Sequence, residues 1–63
     1  MSARQTYAAV LMDAWPAGPG ESVIVGFADY DSAMARAEAM RAEAIECGMS
    51  PVQLTAVARK VQS

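Results

Sequence analysis

Hydrophobic and polar positions divide this chain of 63 residues into segments that favour regular structure, separated by turn residues. Apolar residues dominate 5–12, and β-branched residues dominate 22–27, so both segments predict strands. Between them, 13–21 holds two Pro and two Gly within five consecutive positions, which predicts a loop. Two strands joined by a local loop predict an antiparallel hairpin.

Residues 30–47 carry the periodicity of a helix. Asp29 precedes the segment as a candidate N-cap, and Gly48 follows it, where a left-handed C-terminal cap favours glycine. Apolar residues recur at spacings of three and four and form a stripe that we expect to be buried, Cys47 included. The members of the stripe are Tyr30, Ala33, Met34, Ala37, Met40, Ala44 and Cys47.

The tail after Gly48 fits two structures. Ser50-Pro51-Val52-Gln53 matches a capping box with proline at the first helical position, which predicts a second helix. Alternation of side chains across 55–61 instead predicts a strand after a single turn at 50–54. We favour the strand, because an isolated hairpin is marginally stable and a third strand gives the helix a surface to cover.

These elements predict one α+β domain over 1–63, with the order strand, strand, helix, strand. The third strand should run parallel to the second and lie beside the first, which gives the sheet order 2-1-3 with a right-handed crossover. A hairpin followed by two helices is the alternative. One helix covers one face of such a sheet, so we expect the other face to expose Val10 and Ile24, with Ala8 or Met12 according to register.

Composition makes the predicted core thin. Of the 34 apolar residues, 14 are Ala, and Val, Ile and Leu together number ten. A domain of about 60 residues buries only about 60% of the surface of its unfolded chain. We therefore expect a homodimer or an obligate protein partner to complete the burial.

Charge and residue inventory exclude several classes of function. Five basic and seven acidic residues give a net charge of −2, which argues against a nucleic-acid binder. The chain contains no His and one Cys, so His-dependent catalysis, Cys/His zinc sites and an internal disulfide are excluded. We expect no cofactor, no metal, no membrane segment and a cytoplasmic location.

Candidate partner-binding residues lie in three places, and each has a simpler structural explanation. Trp15 sits on a proline-stiffened loop, as a binding anchor or as a lid on the core. Asp13 and Glu21 flank that loop as an acidic pole or as solvated charges. Arg59 and Lys60, with Arg4 as a further candidate member, form a basic cluster or protect an edge strand. Ala35 and Ala39, with Ala42, leave a smooth methyl surface on the outer side of the helix.

Residues 7–40 combine an apolar strand, a Gly-containing loop, the run Val-Ile-Val-Gly-Phe-Ala-Asp and an Ala-rich helix. This combination, which covers about half of the chain, loosely resembles the front of HicB-type antitoxins. The strand expected after the Phe-x-Asp element and the DNA-binding appendage are missing. Small phage inhibitors such as anti-CRISPR proteins share the size and acidity of this chain but have no common motif.

The sequence therefore predicts a non-enzymatic protein-interaction module of a phage or bacterial accessory type. Such a module would bind, and inhibit or neutralise, a larger protein partner. The alternative is a small-ligand-binding or regulatory domain that acts as a homodimer. An enzyme ranks below both, because its active site would have to be built from Asp, Glu, Tyr and Arg across subunits.

Overall fold

The computed structural model describes residues 5–15 and 18–62, with the side chains of 6–14 and 20–61. In these ranges the chain forms strands β1 (Gln5–Trp15) and β2 (Gly18–Phe27), helix α1 (Tyr30–Glu46), a 3-10 turn (Pro51–Gln53) and strand β3 (Leu54–Gln62). The predicted α+β fold and its element order are confirmed.

The sheet of these described strands has the order β2-β1-β3, as predicted. β1 pairs antiparallel with both neighbours, so β3 runs parallel to β2. The tail forms a short turn and then a strand, which removes the alternative of a second helix. The residues of β3 pair with β1 from Gln5 opposite Gln62 to Asp13 opposite Leu54.

The predicted bounds of the loop, 13–21, are wrong, because β1 continues to Trp15 and β2 already begins at Gly18. Residues 16–17 lie outside the described part of the chain. Trp15 pairs with Gly18, and Ala14 pairs with Pro19. Proline lacks the N–H that a central strand needs, but an edge strand tolerates it. Pro19 lies on β2 at the edge of the described sheet, so the proline signal that predicted a loop marked an edge strand instead.

A bulge interrupts the pairing of β1 with β2 near the open end of the hairpin, where β1 begins and β2 ends. Tyr7 lies opposite Phe27 and Ala9 lies opposite Ile24, so β2 contains one extra residue between these pairs. Gly26 lies in this extra stretch with a φ of 101°, a conformation that side chains rarely adopt. The glycine is therefore required for its backbone conformation, since a Cβ there would meet no atom within 4 Å.

Both predicted caps of the helix are present. The Asp29 carboxylate accepts a hydrogen bond from the backbone N–H of Ser32 at 3.0 Å. Hydrogen bonding by the Ser32 side chain, and then by its backbone, lowers the pKa of Asp29. At the other end, the Gly48 N–H donates to the Ile45 carbonyl, and the Met49 N–H donates to the Ala44 carbonyl. Gly48 has a φ of 104°, so the pair of bonds forms a Schellman motif.

The core described by the structure consists mainly of alanine. Its buried apolar residues are Ala8, Ala9, Val10, Ala33, Ala37 and Leu54. The predicted helix stripe is buried at its centre but not at its ends, since Tyr30 is half-exposed and Cys47 is exposed. The expectation of a buried Cys47 is wrong, because this residue caps the helix at a point where the chain turns away.

Arg41 connects the helix to the tail. Its Nε donates to the Leu54 carbonyl at 3.1 Å, and its Nη2 donates to the Pro51 carbonyl at 3.0 Å. One planar guanidinium thus holds both the 3-10 turn and the start of β3. This contact fixes where the turn ends and the strand begins.

The closeness of the helix to the sheet can be tested at two alanines of the same helix. We expect Ala37→Val to lower the free energy of unfolding by about 1–3 kcal/mol, because a buried methyl contact would be overpacked. Ala39→Val should cost only roughly 0.5 kcal/mol from helix propensity, since Ala39 is exposed. Urea denaturation followed by circular dichroism measures both; equal losses would contradict the packing.

The Arg41 contact gives a second test. Arg41→Lys should lower the free energy of unfolding by about 1 kcal/mol, because an ammonium group lacks the planar geometry that spans two carbonyls. Arg36→Lys, at an exposed position of the same helix, is the matched control and should change little. Denaturant unfolding of the two variants measures the difference, and a control as destabilised as Arg41→Lys would refute the role of Arg41.

Candidate interaction surface

The helix packs against only one of the two faces of the sheet. The Tyr7 ring meets the Tyr30 ring edge-on, with 6.0 Å between centroids, so the face of Tyr7 is the helix face. Residues directly opposite each other in antiparallel strands share a face, and side chains alternate along each strand. We call the other side the open face; its described side chains are Thr6, Ala8, Val10, Met12, Ala14, Glu21, Val23, Val25, Thr55, Val57, Arg59 and Val61.

The prediction that Val10 and Ile24 share an exposed face is wrong. Val10 pairs with Val23 on the open face, whereas Ile24 pairs with Ala9 on the helix face. Ala8 and Val10 are on the open face as expected, yet both are completely buried. The reason is their place on the central strand, where side chains from both neighbouring strands lie over them.

An ion pair crosses the open face above the central strand. Arg59 Nη2 lies 3.0 Å from Glu21 Oε2, and Arg59 Nη1 lies 3.3 Å from Glu21 Oε1. Glu21 is level with Met12 and Arg59 is level with Ala8, so the pair spans β1 at the level of Val10. The hydrogen bonds from Arg59 lower the pKa of Glu21, and those bonds raise the pKa of Arg59.

β2 is the poorly covered strand of the described sheet. The helix lies over β3 and β1 and barely reaches β2. Three consecutive β-branched residues of β2 are exposed: Val23 at 45%, Ile24 at 37% and Val25 at 65%. The position of the helix accounts for the exposure of Ile24, whereas Val23 and Val25 lie on the face that no described element covers. Val23 and Val25 point to the open face and Ile24 to the helix face, so β2 presents apolar surface on both sides.

A cleft lies at the tip end of the hairpin, with a volume of about 540 Å³. Asp13 and Glu21, which the sequence suggested as an acidic pole, both line it. The two carboxylates are engaged, because Gln53 Nε2 donates to Asp13 Oδ1 at 3.2 Å and Arg59 binds Glu21. The remaining lining residues are Met12, Ala14, Gly20, Gln53 and Thr55.

The other predicted residues are not gathered into one site. Arg59 and Lys60 project from opposite faces of β3, and Arg59 is paired with an acid, so the predicted basic cluster is divided. Ala35 and Ala39 are exposed on the outer side of the helix, far from the open face. Trp15 ends β1, but its side chain lies outside the described residues, as does Arg4.

The described residues contain no group of three or more His, Cys, Asp or Glu side chains that could hold a metal ion. Their helix is neither long nor apolar enough to cross a membrane.

The exposed β2 residues were missed as a site, although the sequence held the signal. The segment 22–27 is the strongest strand pattern in the chain, and the predicted order 2-1-3 puts it at an edge. Hydrophobic periodicity does not predict where the helix lies across the width of the sheet. That position decides which strand stays uncovered.

The ion pair predicts a pH dependence with a defined sign. Because the folded-state pKa of Glu21 is depressed, its stabilisation is present above its ordinary value of 4.5 and is lost as pH falls through the folded-state value. Glu21→Gln should therefore be less stable than wild type at neutral pH, with a difference that shrinks below about pH 4.5 and in 1 M salt. Thermal denaturation across pH measures it.

The control for this test is Glu43→Gln, which removes the same charge from an exposed helix position. If both variants lose stability equally, and with the same pH and salt dependence, the contact with Arg59 contributes nothing specific.

Comparisons with known proteins add no relative: no family model, no curated protein and no solved structure matches this chain. These comparisons add no support to the resemblance of residues 7–40 to HicB-type antitoxins.

Proposed function

We propose that this chain is a non-enzymatic protein-interaction module that binds, and inhibits or neutralises, a larger protein through its open face. The supporting observation is the exposure of Val23 and Val25 on that face; the part-exposed Val57 and Val61 add apolar surface on the other side of the central strand. Exposed apolar surface of this kind marks protein contacts in small domains.

The thinness of the fold supports the same conclusion. The chain measures 45 × 22 × 13 Å, and its radius of gyration is 12.8 Å. A chain of this length packed into an average compact domain has a radius of gyration of about 11 Å. Six described residues, four of them Ala, form the buried apolar core, so much of the remaining apolar surface is available to a partner.

The ligand-binding alternative has weaker support. Its best location is the cleft beside Asp13 and Glu21, whose volume falls in the range of about 300–1,000 Å³ typical of small-molecule sites. Both carboxylates are already bound by Gln53 and Arg59, and a ligand would have to displace those contacts. The exposed side chains of Val23 and Val25 offer apolar contact area that does not require either contact to be displaced.

Capture of partners by tagged protein tests the proposal. Val25→Lys places a charge in the exposed apolar surface of the open face and should reduce capture on the order of tenfold, as loss of a contact residue does. Val52→Lys introduces the same charge at a residue that is 94% exposed on the 3-10 turn, and it should capture as wild type does. Quantitative mass spectrometry of proteins retained from native cells measures both.

Far-UV circular dichroism first establishes that both variants are folded. Retention by Val25→Lys of every protein that wild type retains would refute the open face as the docking surface.

A further inference from the structure

We propose that a second copy of this chain binds to the outer edge of β2, so that the two sheets join through antiparallel β2 strands. The inference rests on the proposed function, because the joined sheets would form the surface that the larger partner contacts. In the described part of the chain, β2 pairs with β1 along one edge and leaves its other edge unpaired.

The two edges of the described sheet differ in their protection against such pairing. Natural edge strands discourage association with charged residues, above all Lys. β3 carries Arg59 and Lys60 at consecutive positions and lies under the helix. β2 has the sequence Gly-Pro-Gly-Glu-Ser-Val-Ile-Val-Gly-Phe, with no Lys or Arg, and the helix barely reaches it. The β2 edge is therefore the accessible one.

The sequence of β2 is compatible with pairing to itself. Pro19 lacks an N–H and Gly26 lies in the bulge, so the straight part of the edge runs between them. A two-fold axis within 23–25 places β-branched residues of the two copies beside each other, a favourable cross-strand arrangement. Glu21 of each copy then lies about 14 Å or more from its equivalent, beyond the Debye length of about 10 Å at 0.1 M salt.

The accessible surface of the chain is also large enough for an interface between two copies. The accessible surface of the chain is 4370 Å². Size scaling gives about 3,900 Å² for a folded monomer of the same mass, so the excess is about 500 Å² per chain. Two copies together carry an excess of about 1,000 Å², which is the least that a specific interface usually buries.

The two-fold symmetry determines the geometry of the proposed dimer. The two-fold axis of an antiparallel strand pair is perpendicular to the sheet, so both helices would lie on one side. The resulting sheet has six strands, and its two open faces join into one continuous surface. Val23 and Val25 of both copies would then lie at the centre of that surface, where a larger partner would contact them together.

Sedimentation equilibrium tests the association. Wild type should approach twice the chain mass of 6.6 kDa as its concentration rises, and 1 M salt should not dissociate it. Ile24→Lys puts like charges beside the two-fold axis on the helix face and should weaken association at least tenfold, while Val52→Lys should associate as wild type does. A wild type that remains monomeric at millimolar concentration would overturn the proposal.

Spin-label distances test the edge directly and do not depend on a disruptive variant. Ser22→Cys and Gly20→Cys would be labelled separately in a Cys47→Ser background; both positions are exposed, and a Cβ at Gly20 makes only an ordinary contact of 3.8 Å with Asp13. Antiparallel pairing centred in 23–25 makes the distance between Gly20→Cys labels about 14 Å longer than that between Ser22→Cys labels. Equal distances for the two labelled positions, or a dimer without dipolar coupling at these positions, would overturn the proposed pairing through the β2 edge.

Failure of this inference and failure of the proposed function give different results. A monomeric wild type that still loses partner capture through Val25→Lys refutes the second copy and leaves the interaction module. A dimer with the expected label distances, whose partner capture is unchanged by Val25→Lys, supports edge pairing and refutes the open face as the partner surface.

Discussion

The contact between the helix and the central strand is made by alanine, and the rest of the structure depends on it. Ala33 and Ala37 are buried in the helix, and Ala9 is buried on the helix face of β1. Each alanine buries a single methyl group, so the hydrophobic gain per residue is small. Small side chains also allow the helix to lie close to the sheet, and the larger Leu54 closes the core from β3.

This close contact covers only part of the sheet. The helix lies over β1 and β3. Arg41 of the helix also donates to one backbone carbonyl of the 3-10 turn and to one at the start of β3. β2 is left with little cover on its helix face. On the open face, the Glu21–Arg59 pair bridges the strands that flank β1. Polar contacts therefore join elements that the alanine core alone holds weakly.

Three of the five large apolar residues that are exposed in the described part of the chain, Val23, Ile24 and Val25, lie together on β2; the other two, Tyr30 and Val52, lie apart on the helix and the 3-10 turn. This concentration connects the physical argument about stability to the proposed interaction. A thin core needs additional burial, and an uncovered edge strand offers both side-chain surface and unpaired backbone groups to another protein. The candidate binding residues chosen from the sequence for their chemistry, such as Lys60 and Ala39, lie elsewhere on the surface.

The sequence by itself determined the elements, both helix caps, the sheet order and the shortage of large core residues. These features depend on local signals such as Asp29 before the helix and Gly48 after it, together with hydrophobic periodicity and composition. Only the tertiary structure decided the pairing register, which separates Val10 from Ile24, carries the hairpin strands through Pro19 and joins Glu21 to Arg59. It also decided which strand the helix leaves exposed, because lateral packing depends on contacts between residues far apart in the chain.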